Sequence, residues 1–140
     1  SDVRNLGAIA RTAECAGVDA IIIPSKGSVS VTADAVKTSA GALMNIPVCR
    51  VQSLYSSVKY LKDCGLQIMG ASEKSNINYT DADMTTPLAL VMGAEDKGIS
   101  TEILSLTDTT VSLPQYGKIA SLNVSVAAGV MIYEVLRQRK

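Results

Sequence analysis

Short, uninterrupted apolar runs separated by helical stretches constrain this chain more than any other feature of it. The run from Ala20 to Pro24 reads Ala-Ile-Ile-Ile-Pro. It is β-branched and continuous, as a strand covered on both faces of a parallel sheet should be. Val48 to Val51, Gln67 to Ala71, Leu88 to Met92 and Val111 to Leu113 predict four further strands. The intervening segments carry helical patterning. A helix from about Asn5 to Ala16 should stop at Gly17, a suitable C′ residue, and helical segments are expected between Ala33 and Leu43. Ser53 is a candidate N-cap for a helix ending near Gly65, with Leu54, Val58 and Leu61 on one face. Another helix is expected from Ser100 to Leu106. The last, from Leu122 to Gln138, is apolar nearly all round as far as Ile132, which predicts deep burial. Arg137, Arg139 and Lys140 at its end suit the helix dipole. This alternation predicts an α/β fold with a mostly parallel sheet flanked by helices. The polar stretch from Ser72 to Thr86 breaks the pattern and reads as a solvated loop ahead of a lid.

Composition narrows the chemistry. The 140 residues suffice for one domain with a real core, and 47% hydrophobic against 19% charged residues describes a globular chain. No apolar run approaches the roughly 20 residues of a membrane helix, and the Ser1-Asp2-Val3-Arg4 start shows no signal peptide. The absence of histidine removes Cys/His zinc sites, Ser-His-Asp triads and imidazole acid–base chemistry together, and no metal site is expected. Cys15, Cys49 and Cys64 have no metal-like spacing and are expected as reduced, mostly buried thiols of a cytoplasmic protein. Net charge is zero, with five Tyr and no Phe or Trp. Any grip on RNA must then be local or supplied by another domain or subunit, and a base-stacking platform is not expected.

Three segments carry candidate chemistry. Met92-Gly93-Ala94-Glu95-Asp96-Lys97-Gly98 is a glycine-containing turn between a strand and a helix, where α/β folds bind ligands. It lacks the Gly-Lys-Ser/Thr ending of a phosphate loop, and Glu95 stands where a dinucleotide loop needs glycine. Its carboxylates suit hydroxyls, an amine or a sulfonium; an ordinary tight turn is the alternative. Leu113-Pro114-Gln115-Tyr116-Gly117-Lys118-Ile119-Ala120-Ser121-Leu122-Asn123 opens the last helix. Ser121 and Asn123 are both standard N-caps, so one could cap while the other faces a site. Asn5-Leu6-Gly7-Ala8-Ile9-Ala10-Arg11-Thr12-Ala13 sets Arg11 among apolar and small residues. It is either a guanidinium snorkelling at a helix edge or one aimed at phosphate or a developing oxyanion.

Taken together, the three segments resemble the three motifs of the SpoU family of RNA methyltransferases, in order and along essentially the whole chain. The first is Asn5-x-Gly7-Ala8-Ile9-x-Arg11-Thr12-Ala13 and the second Leu90-Val91-Met92-Gly93-Ala94-Glu95-x-x-Gly98. The third is Leu113-Pro114-x-x-Gly117 followed by Ser121-Leu122-Asn123-Val124-Ser125-Val126-Ala127. The stretch Ala35-Val36-Lys37-Thr38-Ser39-Ala40-Gly41-Ala42 and the Arg137-Gln138-Arg139 ending are most similar to the branch acting on a guanosine ribose of large-subunit ribosomal RNA; the tRNA branch is next.

The resemblance implies an α/β fold with a C-terminal deep trefoil knot, a homodimer, and S-adenosylmethionine as cofactor. It implies methyl transfer to a ribose 2′-hydroxyl of structured RNA, ribosomal rather than transfer RNA, with no DNA or membrane partner. It assigns cofactor contacts to Met92, Gly93, Glu95, Gly98, Leu113, Gln115, Ser121 and Leu122, with Thr38 and Gly41 close by. It assigns activation of the hydroxyl to Arg11, with Asn5, Glu95, Ser121 and Asn123 positioning the reactants. The family commonly has a strand before the first motif and an N-terminal RNA-binding domain. Both are expected to be missing from this chain, leaving residues 1–140 as the catalytic domain. Two rivals stand beside this reading: a non-catalytic RNA-binding or assembly module of the same fold, and a Rossmann-type oxidoreductase, against which the missing Gly-x-Gly-x-x-Gly argues.

Overall fold

The computed structural model describes residues 3–25, 37, 39–94, 97–119 and 121–140. Its contacts fall into two compact units, Ser1–Leu54 and Tyr55–Lys140.

In the first unit, α1 runs Val3–Ala16. Leu6, Ala10 and Ala13 are buried on one side of it, at the i, i+4, i+7 spacing of an amphipathic helix. Gly17, at φ 78°, ends it as expected. Strand β1, Ile21–Pro24, pairs in parallel with β2, Val48–Val51, Ile21 opposite Val48. Of the helical stretch expected between Ala33 and Leu43, residues 33–36 and 38 lie outside the described residues. The described part ends in a 3-10 turn, Ala42–Met44, that packs against α1.

The second unit holds α2, Leu54–Asp63, directly after Ser53 and burying Val58. A three-stranded parallel sheet follows, in the order β4-β3-β5. Its strands are β3, Gln67–Ala71, β4, Leu88–Val91, and β5, Thr109–Val111. A short helix α3, Thr101–Leu104, is capped by the Ser100 side chain, and α4 spans Val124–Gln138. Met69, Met84, Val111 and Met131, from β3, the segment before β4, β5 and α4, form the buried core. Every strand pairing is parallel, as the continuous apolar runs predicted.

Four expectations are corrected. The fifth strand lies two residues earlier than Val111 to Leu113. Thr109 and Thr110 look polar in sequence, yet they pair with Met69 and Gly70, and β-branched threonine suits a pleated ladder. The final helix is only half buried: Ala128, Met131 and Ile132 are covered, while Val126, Tyr133 and Leu136 are exposed. All three cysteines are free thiols, but all are exposed rather than buried, because they fall on outward positions of α1, on β2 and just past α2.

The fourth correction concerns residues 72–86, whose side chains are mostly exposed, as in a solvated loop, but which the rest of the unit anchors as a strap. Val111 O accepts from Ser72 N at 2.9 Å, and Ile77 O accepts from Ser112 N at 2.8 Å. The Ser75 hydroxyl donates to Thr110 O at 2.7 Å. Further along, the Gln138 side chain accepts from Met84 N at 2.7 Å and donates to Ala82 O at 2.9 Å. Arg139 donates to the carbonyls of Met84 and Thr86. Met84 itself is wholly buried. Polar side chains disguised this segment because they hydrogen-bond backbone groups that the strap would otherwise leave unpaired.

Two carboxylates hold this unit together. Asp108 accepts from the N–H of fully buried Ile68 at 2.7 Å and from Lys62 Nζ at 2.6 Å. The Ile68 hydrogen bond first, and Lys62 second, hold its carboxyl below the ordinary 3.8. Buried Glu134 accepts two 2.7 Å bonds from Arg137 and one of 2.8 Å from Gln138. Arg137 chiefly keeps it below the ordinary 4.5, against the opposing effect of burial. With both carboxyls lowered on folding, their stabilisation is complete above those ordinary values and is lost as pH falls through the lower folded values. The urea midpoint should therefore hold steady from about pH 7 to pH 5 and drop below about pH 4.5. Asp108→Asn, which keeps an acceptor but cannot titrate, should make that drop shallower. Asp108→Ala should cost about 1–3 kcal/mol at neutral pH by leaving the Ile68 N–H unpaired.

Candidate functional site

Because β3, β4 and β5 run parallel, the loops that follow them leave the same edge of the sheet, the carboxyl edge where open α/β sheets bind ligands. There they enclose a cleft of about 270 Å³, just under the roughly 300–1,000 Å³ of ordinary small-molecule sites. Ala71 and Ser72, Glu73 and Lys74 line it from the end of β3. Met92, Gly93, Ala94, Lys97, Gly98 and Ile99 line it from the loop after β4. Leu113, Gln115, Ser121 and Leu122 come from the segment between β5 and α4, and Leu104, Val124 and Ala127 close one side. The walls are about as polar as they are apolar, with Ser72, Glu73, Lys74, Lys97, Gln115 and Ser121 supplying the polar side chains. A second, more open depression adjoins it, lined by Glu73 and Ser112, Leu113, Pro114 and Gln115.

The loop after β4 is shaped by its glycines. Ala94 and Gly98 exchange backbone hydrogen bonds, Gly98 N to Ala94 O at 2.8 Å and Ala94 N to Gly98 O at 3.2 Å. This brings Gly93 so close to the returning chain that a Cβ there would lie 2.5 Å from the Gly98 carbonyl carbon and 2.7 Å from Ile99 N. Both obstacles are backbone, so a side chain could be admitted only by opening the turn. Gly98, at φ 69°, supplies the left-handed residue that closes it.

The structure thus brings together Met92, Gly93, Gly98, Leu113, Gln115, Ser121 and Leu122 of the residues singled out from sequence. Of the remainder, Glu95 and Thr38 lie outside the described residues. Asn5, Arg11 and Gly41 belong to the first unit. There Asn5 is half buried, and Arg11 is exposed on α1 without a hydrogen-bond or ion-pair partner among the described residues. Gly41, at φ 86°, opens the 3-10 turn and follows Ala40, also left-handed at φ 56°. Asn123 is the N-cap of α4, its side-chain oxygen accepting from Ser125 N at 2.9 Å and from the Ser125 hydroxyl. The two candidate caps therefore divide: Asn123 caps, and Ser121 faces the cleft. Sequence reasoning missed Ser72, Glu73 and Lys74, which were absorbed into a supposed solvated stretch. The available signal was their position directly after β3, at the same sheet edge as the two recognised loops. Among the described residues no cluster of Cys, Asp or Glu is arranged to hold a metal ion, and no helix is long and apolar enough to cross a membrane.

Sequence comparison matches residues 1–133 to the family described as the SpoU rRNA Methylase family. The chain belongs to that family. Among SpoU relatives, it is 42% identical over 138 residues to a putative TrmH family tRNA/rRNA methyltransferase of Staphylococcus saprophyticus, covering 99% of this chain and 55% of that protein. It is 40% identical over 140 residues to the 23S rRNA (guanosine-2′-O-)-methyltransferase RlmB of Shewanella oneidensis, covering 100% of this chain and 57% of that protein. This SpoU chain thus spans about half the length of the curated relatives it matches. Its fold matches the SpoU methyltransferase AviRb of Streptomyces viridochromogenes, solved in complex with AdoMet. The TM-score is 0.91 at 30% identity, over 99% of this chain and 57% of that one. It also matches the A. aeolicus TrmH/SpoU tRNA modifying enzyme, with a TM-score of 0.90 at 31% identity, over 99% and 71%. The α/β fold with parallel sheets flanked by helices is accordingly that of SpoU methyltransferases.

Gly93→Ala tests the turn directly. It should destabilise the fold by about 1–3 kcal/mol, the usual cost of forcing atoms into a packed position, as read by chemical denaturation. Gly117→Ala, where the backbone is not left-handed and nothing lies within 4 Å, controls for loss of a glycine as such.

Proposed function

We propose that this domain transfers a methyl group from S-adenosylmethionine to a ribose 2′-hydroxyl of structured RNA, a guanosine of ribosomal RNA in the first instance. The observation that carries this is the convergence of seven residues from two SpoU-like motifs on one cleft at the carboxyl edge of the sheet, in a chain that belongs to the family. A relative named for guanosine 2′-O-methylation of 23S rRNA supports the ribosomal substrate. A structural neighbour named as a tRNA modifying enzyme supports a tRNA substrate as the second reading.

The cleft fits the cofactor chemically. Aliphatic side chains of Ile99, Leu113, Leu122 and Val124 offer an apolar wall for a flat heterocycle, and the polar groups at its rim suit a ribose and an amino-acid end. Gly93 and Gly98 let the turn after β4 close tightly at the edge of the cleft. Bound there, S-adenosylmethionine supplies an electrophilic methyl on a sulfonium whose thioether is a good leaving group. The protein's contribution is then alignment and management of the 2′-proton. The Arg11 guanidinium offers five N–H donors and no acceptor, so it serves as a donor and not as a base. Its role is to hold a target phosphate and stabilise negative charge developing on the 2′-oxygen, the proton passing to water. Asn5, Glu95 and Ser121 take positioning roles in this reading, and Asn123 holds the helix that carries the cleft wall. Thr38 and Gly41 complete the cofactor's surroundings.

We further propose the trefoil knot of the family and a cytoplasmic homodimer. The dimer is supported by the stripe Val126, Tyr133 and Leu136, exposed along α4 at 52%, 49% and 38%. Spacings of seven and three residues put these side chains on one side of the helix. With zero net charge on this chain, much of the RNA grip falls to a partner subunit or to a further domain.

Isothermal titration with S-adenosylmethionine should give micromolar binding; a folded protein that does not bind removes the proposal. Arg11→Ala should bind the cofactor as the unsubstituted chain does but lose at least about 100-fold in methyl incorporation into ribosomal RNA, the scale of losing one electrostatic stabiliser. Full activity in that variant would remove Arg11 from the mechanism. Light scattering should return twice the chain mass, and Val126→Asp with Tyr133→Asp should reduce it to one.

A further inference from the structure

Glu73 stands out among the polar groups of the cleft by its position. It lies two residues past the end of β3, the central strand of the three. The glycine turn after β4 and the 113–122 segment after β5 therefore flank it on either side. It lines the cleft and also the adjoining depression, and is the one ionisable residue common to both among the described residues. Its carboxylate has no hydrogen-bond or ion-pair partner among the described residues, and it is exposed. Its neighbours cannot replace it. The Ser72 hydroxyl already accepts from Lys74 N at 3.3 Å, Lys74 and Lys97 can only donate, and Gln115 both donates and accepts.

An ionised carboxylate is an acceptor only, with two oxygens side by side. The group that matches it without a charge of its own is a pair of adjacent hydroxyls. Dinucleotide-binding folds, though built on a different glycine loop, likewise use a carboxylate at the carboxyl edge of a parallel sheet to receive a ribose hydroxyl. We infer that Glu73 accepts the ribose 2′- and 3′-hydroxyls of the cofactor and makes the cleft selective for a ribonucleoside. This rests on the reading of the cleft as an adenosyl-cofactor site. It adds a specificity residue drawn from the loop after β3, which none of the three motifs includes. The anchoring of that loop at Ser72 to Val111 O and at Ser75 to Thr110 O holds Glu73 at the rim before the ligand arrives. Little ordering is then needed on binding.

Titration of the chain with S-adenosylhomocysteine, and with its analogue lacking both ribose hydroxyls, tests the inference. The unsubstituted protein should prefer S-adenosylhomocysteine by about tenfold or more, as hydrogen bonds to a charged acceptor at a partly solvated rim provide. Glu73→Ala should lose that preference while binding the analogue as the unsubstituted protein does. Glu73→Gln, which keeps one acceptor oxygen, should fall between. A Glu73→Ala variant that keeps the preference, or that weakens both ligands alike, overturns the assignment. So does an unsubstituted protein that binds both ligands equally, and in that case the adenosyl-cofactor reading survives. If the unsubstituted protein binds neither ligand, that reading and the inference fall together.

Discussion

Ile68 donates its N–H to the Asp108 carboxylate at 2.7 Å and accepts the Asp108 N–H on its carbonyl at 2.8 Å. This reciprocal tie sits one residue before β5 begins and so sets the register in which β5 lies beside β3. Lys62 reaches the same carboxylate from α2 and donates as well to Leu106 O at 3.2 Å. Helix, central strand and outer strand thus meet at one charged group. The cleft depends on that register, because the loops after β3 and β5 converge only if their strands end level with one another. Ala71 opposite Val111 and Gly70 opposite Val91 are where they do.

The strap then closes the arrangement from the other side. Residues 72–79 are bonded to the end of β5, and residues 82–86 are bonded to the last turn of α4. Met84, fully buried between them, contributes to the same core as Met69, Val111 and Met131. One segment therefore ties together the two elements that deliver Leu113, Ser121 and Leu122 to the cleft. Glu134 serves this end of the molecule as Asp108 serves the other. Buried with Arg137 and Gln138 as partners, it orients Gln138 toward the strap, and it tolerates burial only because both partners satisfy it.

Legibility in the sequence followed the strength of the local signal. Short β-rich runs put the strands at Val48–Val51 and Gln67–Ala71 where the structure has them, because their length and flanking helical segments leave room for little else. The glycine turn and the segment ending in Ser121 were legible because spacing and residue type are themselves the constraint there. Glu73 was not, because its neighbours are polar and give no periodicity. Thr109 and Thr110 were not, because a buried parallel ladder accepts threonine as readily as valine, and only the pairing with β3 reveals them.

By itself, the order of apolar runs determined an α/β architecture with parallel strands, and the motif residues singled out two loops that line one cleft. Both are local properties, written in the side chains of a few neighbouring positions. Tertiary structure alone decided that Asn123 caps while Ser121 faces the cleft, that the polar strap is anchored, and that α4 keeps an exposed apolar side. These outcomes depend on which distant backbone groups need partners and which surfaces find cover. A residue's own type does not carry that information, because the same serine, asparagine or valine serves equally well on either side until the rest of the chain has packed.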